Sequence, residues 1–129
     1  MLSVLVHYEA LLRLSFHNRQ VKKQHRLHIL YSVFGALIAH VLEVWIFTFG
    51  YFFLTRFSGD GTLVGNITGE LGDYAYYSFS TYTSLGFGDI TPTGPLRFLS
   101  GMETLTGLVL IAWTASFMFV QMQRFWGDQ

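Results

Sequence analysis

Residues 73–94 read DYAYYSFSTYTSLGFGDITPTG. Asp73 is a good helix N-cap, and residues 74–83 supply about three helical turns. That is too short to cross a bilayer, whose ~30 Å hydrocarbon core needs ~20 helical residues. The helix pattern gives way to Ser84-Leu85-Gly86-Phe87-Gly88-Asp89 and then to a loop holding Pro92 and Pro95. Two glycines alternating with larger residues let carbonyls on one side point the same way. Stacked carbonyls can replace the hydration shell of a monovalent cation. Glycine-rich backbone at membrane depth is tolerated only where it is buried or lines a water-filled path. The short helix would turn its partly negative C-terminal end toward such a cation.

Working outward, apolar segments flank this stretch on both sides. Leu27 to Leu54 holds one acid, Glu43, and two histidines, His28 and His40. As a helix it would be ~42 Å long, enough to span with length to spare. Leu96 to Met122 is the second such segment, with Arg97 at its start and Glu103 about two turns in. Trp45, Phe47, Phe49, Tyr51, Phe52 and Phe53 crowd the end of the first span, and Trp126 follows the second. Aromatics at span ends fit membrane–water interfaces. Residues 55–72, rich in Gly, Thr, Asn and Asp, read as an exposed outer loop, with a glycosylation-type sequon at Asn66-Ile67-Thr68.

The composition agrees. The chain has 129 residues, 51% apolar and 18% aromatic, and only 12% charged against the ~25% usual in soluble proteins. One domain is expected at this length. Zero cysteines exclude a disulfide scaffold, a thiolate metal site and a cysteine nucleophile. Net charge is zero, yet five of the eight Lys and Arg residues lie between Arg13 and Arg26. Short basic segments stay cytoplasmic, so the first span runs from inside to outside and Arg124 returns inside. This segment, with His17, His25 and His28, is either a topology signal or a grip on anionic headgroups worth ~1 kcal/mol per basic residue.

The first sixteen residues, MLSVLVHYEALLRLSF, lack the basic start and long apolar run of a signal peptide. At helical spacing Val4, Leu5, Tyr8, Leu11, Leu12 and Phe16 share one face, and Ser3, His7, Glu9, Arg13 and His17 the other. This reads as an amphipathic interface helix or a short third membrane helix of ~24 Å.

Thr83 followed by Ser84-Leu85-Gly86-Phe87-Gly88-Asp89 resembles the T-x-G-[Y/F]-G-D signature of potassium-channel selectivity filters. More closely, the chain is similar to the small bacterial two-transmembrane, ion-channel-domain proteins, over about residues 27–123. The resemblance implies an all-α membrane protein and a single pore-type domain. That domain would comprise an N-terminal helix and basic segment (1–26), an outer helix (27–54) and an outer loop (55–72). A pore helix (73–83), filter (84–89) and inner helix (95–123) would follow.

It also implies that Thr83, Ser84, Leu85, Gly86, Phe87 and Gly88 form the ion-binding filter. Potassium would sit on the carbonyls of Ser84, Leu85, Gly86 and Phe87, and the Ser84 hydroxyl would give the innermost ligand ring. Three positions depart from the family pattern. Ser84 stands for threonine, Leu85 for valine or isoleucine, and Phe87 for the commoner tyrosine, which removes a hydrogen-bond donor behind the filter. Tyr76 and Tyr77 stand where tryptophans are frequent and are candidates for an aromatic cuff reaching Asp89. Four filters are needed for carbonyl rings, so a homotetramer is implied.

On the inner helix, Leu105, Val109, Ala112, Ser116, Val120 and Gln123 follow a helical stripe that would face the cavity. Gly107 is a possible hinge. The resemblance implies a carboxylate on the pore helix in many relatives, at the position where this chain has Ser80. Glu103, or Glu43 with His40 one turn away, is therefore expected to brace the filter through Ser80, Thr81 or Thr83. In a low-dielectric setting either carboxyl is expected to hold its proton.

No helix carries the repeated arginines of a voltage sensor, and no HExxH, GxSxG or P-loop pattern occurs, so no enzyme and no cofactor are expected. Five residues follow Arg124, so gating is expected from the pore, the N-terminal segment, lipid or another protein. The expected function is passive potassium conduction in the cell membrane. The alternatives are a weakly selective cation channel and a non-conducting subunit of a larger membrane complex. Expected partners are other copies of the chain, lipids and a further membrane protein, with no nucleic acid.

Overall fold

A computed structural model describes residues 1–20, 25–57, 59 and 61–126, without the side chains of 17–20, 25–26, 28 and 124–126. The basic cluster Arg19, Lys22, Lys23 and Arg26, its histidines His17, His25 and His28, and Arg124 thus lie outside the described residues and side chains. In chain order the elements are α1 (Leu2–Gln20), α2 (His25–Phe57), β1 (Leu63–Gly65), α3 (Leu71–Tyr82), β2 (Ile90–Pro92) and α4 (Leu96–Trp126).

The stretches Ile29–Phe57 and Leu96–Gln123 have hydropathies of 1.9 and 1.7, and only 28% and 17% of their apolar 18-residue windows is buried. A core helix of a soluble protein would be mostly covered. Here the pattern is inverted: Ser3, His7, Ser32, Glu43, Thr48, Ser78, Ser100, Glu103 and Gln121 are inside. Leu30, Phe34, Ile38, Leu42, Phe53, Leu105 and Phe119 are outside. Hydrocarbon cannot satisfy polar groups, so a membrane protein turns them inward. The all-α membrane class expected from the sequence is what the structure has.

The chain forms two compact units, Met1–Glu43 with Leu110–Gln129, and Val44–Val109. In the first, α1 buries Ser3, His7, Leu11 and Leu14, and leaves Val4, Leu5, Tyr8 and Phe16 exposed. The polar Ser3 and His7 are thus inside, together with Leu11 of the apolar face, while most of that face is outside. The physical reason is that the His7 ring has a polar partner inside, on α2. Gly35 of α2 sits against Leu14, where an added Cβ would come within 2.5 Å of the leucine side chain. Ala36 and Ala39 are likewise buried. Small residues let membrane helices approach closely.

The second unit has a core of Tyr51, Leu63, Tyr74, Tyr77, Ile90 and Leu96, with Phe47, Phe52, Ile67 and Leu99 against it. Tyr51 meets Tyr77 edge-on at 5.1 Å, and Phe52 meets Tyr74 edge-on at 5.5 Å. Tyr51, grouped above with interfacial aromatics, is fully buried because its hydroxyl is used inside. The stretch 55–72 is not all loop. β1 pairs antiparallel with β2, Leu63 opposite Pro92 and Gly65 opposite Ile90. Asn66 N–H also donates to the Asp89 carbonyl at 3.0 Å. Gly65 has φ +126, and a Cβ there would strike the Asp89 carbonyl, so this crossing needs glycine. The two short strands tie together the ends of the segment that carries α3 and the filter-like loop.

α3 and its N-cap lie three residues earlier than an N-cap at Asp73 would place them. Glu70 is its N-cap, without a side-chain cap bond, and Asp73 lies inside the first turn. Asp73 instead reaches back: its Oδ2 accepts from the Thr68 N–H and hydroxyl, both at 2.7 Å, and from the Gly69 N–H at 3.0 Å. These bonds, Thr68's first, hold the Asp73 carboxyl below its ordinary range. A lowered folded-state value adds stability at higher pH, lost as pH falls through that value. Wild type is therefore expected to exceed Asp73→Asn in thermal stability at neutral pH, with the gap closing in acid. A gap of constant size across the acid range would contradict this account.

Candidate ion path

Helix α3 has twelve residues, ~18 Å at ~1.5 Å each, and ends at Thr83, its C-cap. Beyond it the backbone alternates in hand. Ser84, Gly86 and Gly88 have φ of +61, +56 and +80, whereas Leu85 and Phe87 are not left-handed. Such alternation can direct successive carbonyl oxygens to one side. For a non-glycine residue the left-handed region costs ~1–2 kcal/mol, so Ser84 must be held there.

Backbone hydrogen bonds do the holding. Ser84 N–H donates to the Thr81 carbonyl at 3.0 Å. Leu85 and Gly86 N–H groups donate to the Ser80 carbonyl at 2.9 and 3.2 Å. Phe87 N–H donates to the Ser80 hydroxyl oxygen at 3.4 Å. Four successive N–H groups are thus committed to the last turn of α3, three of them to one serine. Among the described residues none donates to the carbonyls of Ser84, Leu85, Gly86 or Phe87. Residues 83–89 are all exposed on the single chain. Thr83 turns its own hydroxyl back to the Phe79 carbonyl at 2.7 Å.

Behind the loop, the Tyr76 hydroxyl donates to Asp89 Oδ2 at 2.9 Å, and its ring stacks on Phe87, 6.3 Å between centroids. That bond raises the Tyr76 phenol above its ordinary range. Tyr77, one residue on, points elsewhere. It is buried, with its hydroxyl 2.6 Å from Ser100 Oγ, because a helix turns ~100° per residue.

Glu103 is fully buried beside α3, with partners other than Ser80, Thr81 and Thr83. Tyr51 donates to its Oε2 at 2.6 Å, and Ser78 Oγ contacts its Oε1. The brace toward Thr81 is Thr104, whose hydroxyl donates to the Thr81 carbonyl at 3.2 Å. A Cβ on Gly107 would overlap the Tyr82 carbonyl. Gly107, the possible hinge, gives close approach to α3 within a continuous α4. Ser100, Glu103, Thr104 and Gly107 therefore form the stripe of α4 that meets α3. Sequence reasoning missed Tyr51, Ser78 and Ser100. For Ser100 the helical spacing with Glu103 and Gly107 was the available signal.

Glu43 belongs to the other unit, where His7 and His40 are its partners. On α4, Leu105, Val109, Ala112, Ser116, Val120 and Gln123 are all exposed on the single chain, with the Ser116 hydroxyl bonded to the Ala112 carbonyl.

Two apolar spans that bracket a short helix and a left-right alternating loop make a pore-type membrane domain. A family model described as "Ion channel" matches residues 27–124. The chain belongs to this ion channel family. No curated protein and no solved structure matches it.

Proposed function

We propose that the protein is a potassium-selective channel pore that conducts passively as a homotetramer in the cell membrane. The observation that carries this reading is the loop 84–88. The N–H groups of residues 84–87 are spent on α3, and their carbonyls are left for a ligand. Carbonyl rings of this kind replace the water around a monovalent cation. The C-terminal end of α3, directly before the loop, adds a partial negative charge. Four copies around one axis would supply the rings. They would also cover the exposed Leu85, Phe87, Phe98 and Leu105. Val109, Ala112, Ser116 and Val120 would line the inner cavity. The basic segment before α2 would lie on the cytoplasmic side.

The test is flux from purified protein in liposomes under separate potassium and sodium gradients. Potassium flux is expected to exceed sodium flux by about tenfold or more, a difference of ~1.4 kcal/mol. Equal fluxes would overturn selectivity and leave a weakly selective cation pore, the outcome that Ser84, Leu85 and Phe87 would then explain. No flux, together with one copy per particle and a co-purifying partner, would replace the channel by a non-conducting subunit.

A further inference from the structure

We propose that His7, His40 and Glu43 form a binding site for a divalent transition-metal ion of the zinc class. The site lies wholly within the unit made of residues 1–43 and 110–129. His7 comes from α1, and His40 and Glu43 from α2. One ligand atom from each residue lies within 4.8 Å of the other two. His7 Nδ1 is 2.8 Å from Glu43 Oε1, and His40 Nδ1 is 3.1 Å from Glu43 Oε2. An ion bound at ~2.0–2.2 Å by two imidazoles and a carboxylate needs its ligand atoms a little over 3 Å apart. The two His–Glu separations are near that spacing and no pair of ligand atoms exceeds 4.8 Å, so small side-chain shifts admit the ion.

The donor set fits the class. Two imidazole nitrogens and one carboxylate are the three protein ligands of a zinc site that keeps its fourth position open. The rings are also oriented from behind. Both turn Nε2 to the same hydroxyl, Thr114 Oγ1 of α4, at 3.0 Å from His40 and 3.3 Å from His7. A hydrogen bond on the far ring nitrogen is what fixes tautomer and direction in metal-bound histidines. Burial is high: the His7 and Glu43 side chains are fully covered, and His40 is 16% exposed. The Trp113 ring, 5.5 Å from His7, closes another side. His7 and Glu43 are 36 residues apart, so a shared ion would pin α1 to α2. This proposal stands independently of conduction and of its selectivity.

The experiment uses the full chain in detergent, stripped with EDTA and titrated with Co2+. Visible d–d absorption reports nitrogen and oxygen ligation, and Zn2+ is then added as competitor. One Co2+ per chain is expected, displaced one for one by Zn2+. The spectrum should be lost in His7→Ala and in Glu43→Gln. Thr114→Val keeps all three ligands and is expected to weaken affinity by about 10–100-fold. A triple His17→Gln, His25→Gln, His28→Gln variant should bind as wild type. Circular dichroism and gel filtration check that each variant is folded. Because Thr114→Val and wild type need no ligand removal, a misfolded His7→Ala does not rescue the idea. Absence of a Co2+ spectrum in wild type would overturn it and leave a hydrogen-bonded triad. So would binding that survives in His7→Ala but vanishes in the triple variant, since the ion would then sit on the basic segment.

Discussion

Gly86→Ala is expected to reduce potassium flux in liposomes to the level of empty vesicles while the protein still folds. Gly86 has φ +56, and an added Cβ would meet nothing within 4 Å on the single chain. The penalty is therefore backbone strain, ~1–2 kcal/mol for an L-residue held left-handed. Relief would rotate the peptide plane and, in the tetramer proposed above, remove one carbonyl per chain from the ion path at once. Gly69→Ala is the control. Gly69 also has positive φ, +86, with nothing within 4 Å, but it lies in the loop before α3. It carries the same kind of strain and is expected to leave selectivity and flux near wild type. If Gly86→Ala conducted as well as Gly69→Ala, the loop would not be the ion path.

The second large effect is expected at Glu103. Its carboxyl holds the Tyr51 hydroxyl at 2.6 Å and contacts Ser78, all three fully buried. Ser78 is also 3.0 Å from the Val44 carbonyl. A serine has a single proton, so it serves one of these two acceptors. A Glu103 that carries its own proton satisfies both. Glu103→Gln keeps an acceptor and a donor and is expected to be mild. Glu103→Ala strands buried hydroxyls at ~1–3 kcal/mol per group and opens a void beside α3. Thermal unfolding of the two variants in detergent would show a large drop for alanine and a small one for glutamine. Equal drops would mean that α3 needs the carboxyl group itself, which an amide of the same shape cannot replace.

Much of the fold is legible in the chain because its signals are local. Hydropathy and length mark α2 and α4. The short run after Asp73 and the glycines at 86 and 88 mark a helix too short to span and a loop that needs positive φ. Ser84 is the exception: nothing in a lone serine announces φ +61, which follows from the bonds that Thr81 and Ser80 accept. The strand at 63–65 is equally silent, since three residues show no periodicity and their partner is at 90–92.

What the sequence determined by itself is the order span, short helix, filter-like loop, span, and the membrane as solvent. Those follow from properties each segment carries alone. What only the tertiary structure decided is which polar groups meet. Glu103 finds Tyr51 and Ser78, Thr104 takes the Thr81 carbonyl, and Tyr76 rather than Tyr77 reaches Asp89. Likewise α1 turns His7 inward to Glu43 and most of its apolar face outward. These pairings depend on how far each helix is rotated about its axis. That rotation is set by contacts between residues distant in the chain, where the need to satisfy every buried polar group selects one arrangement.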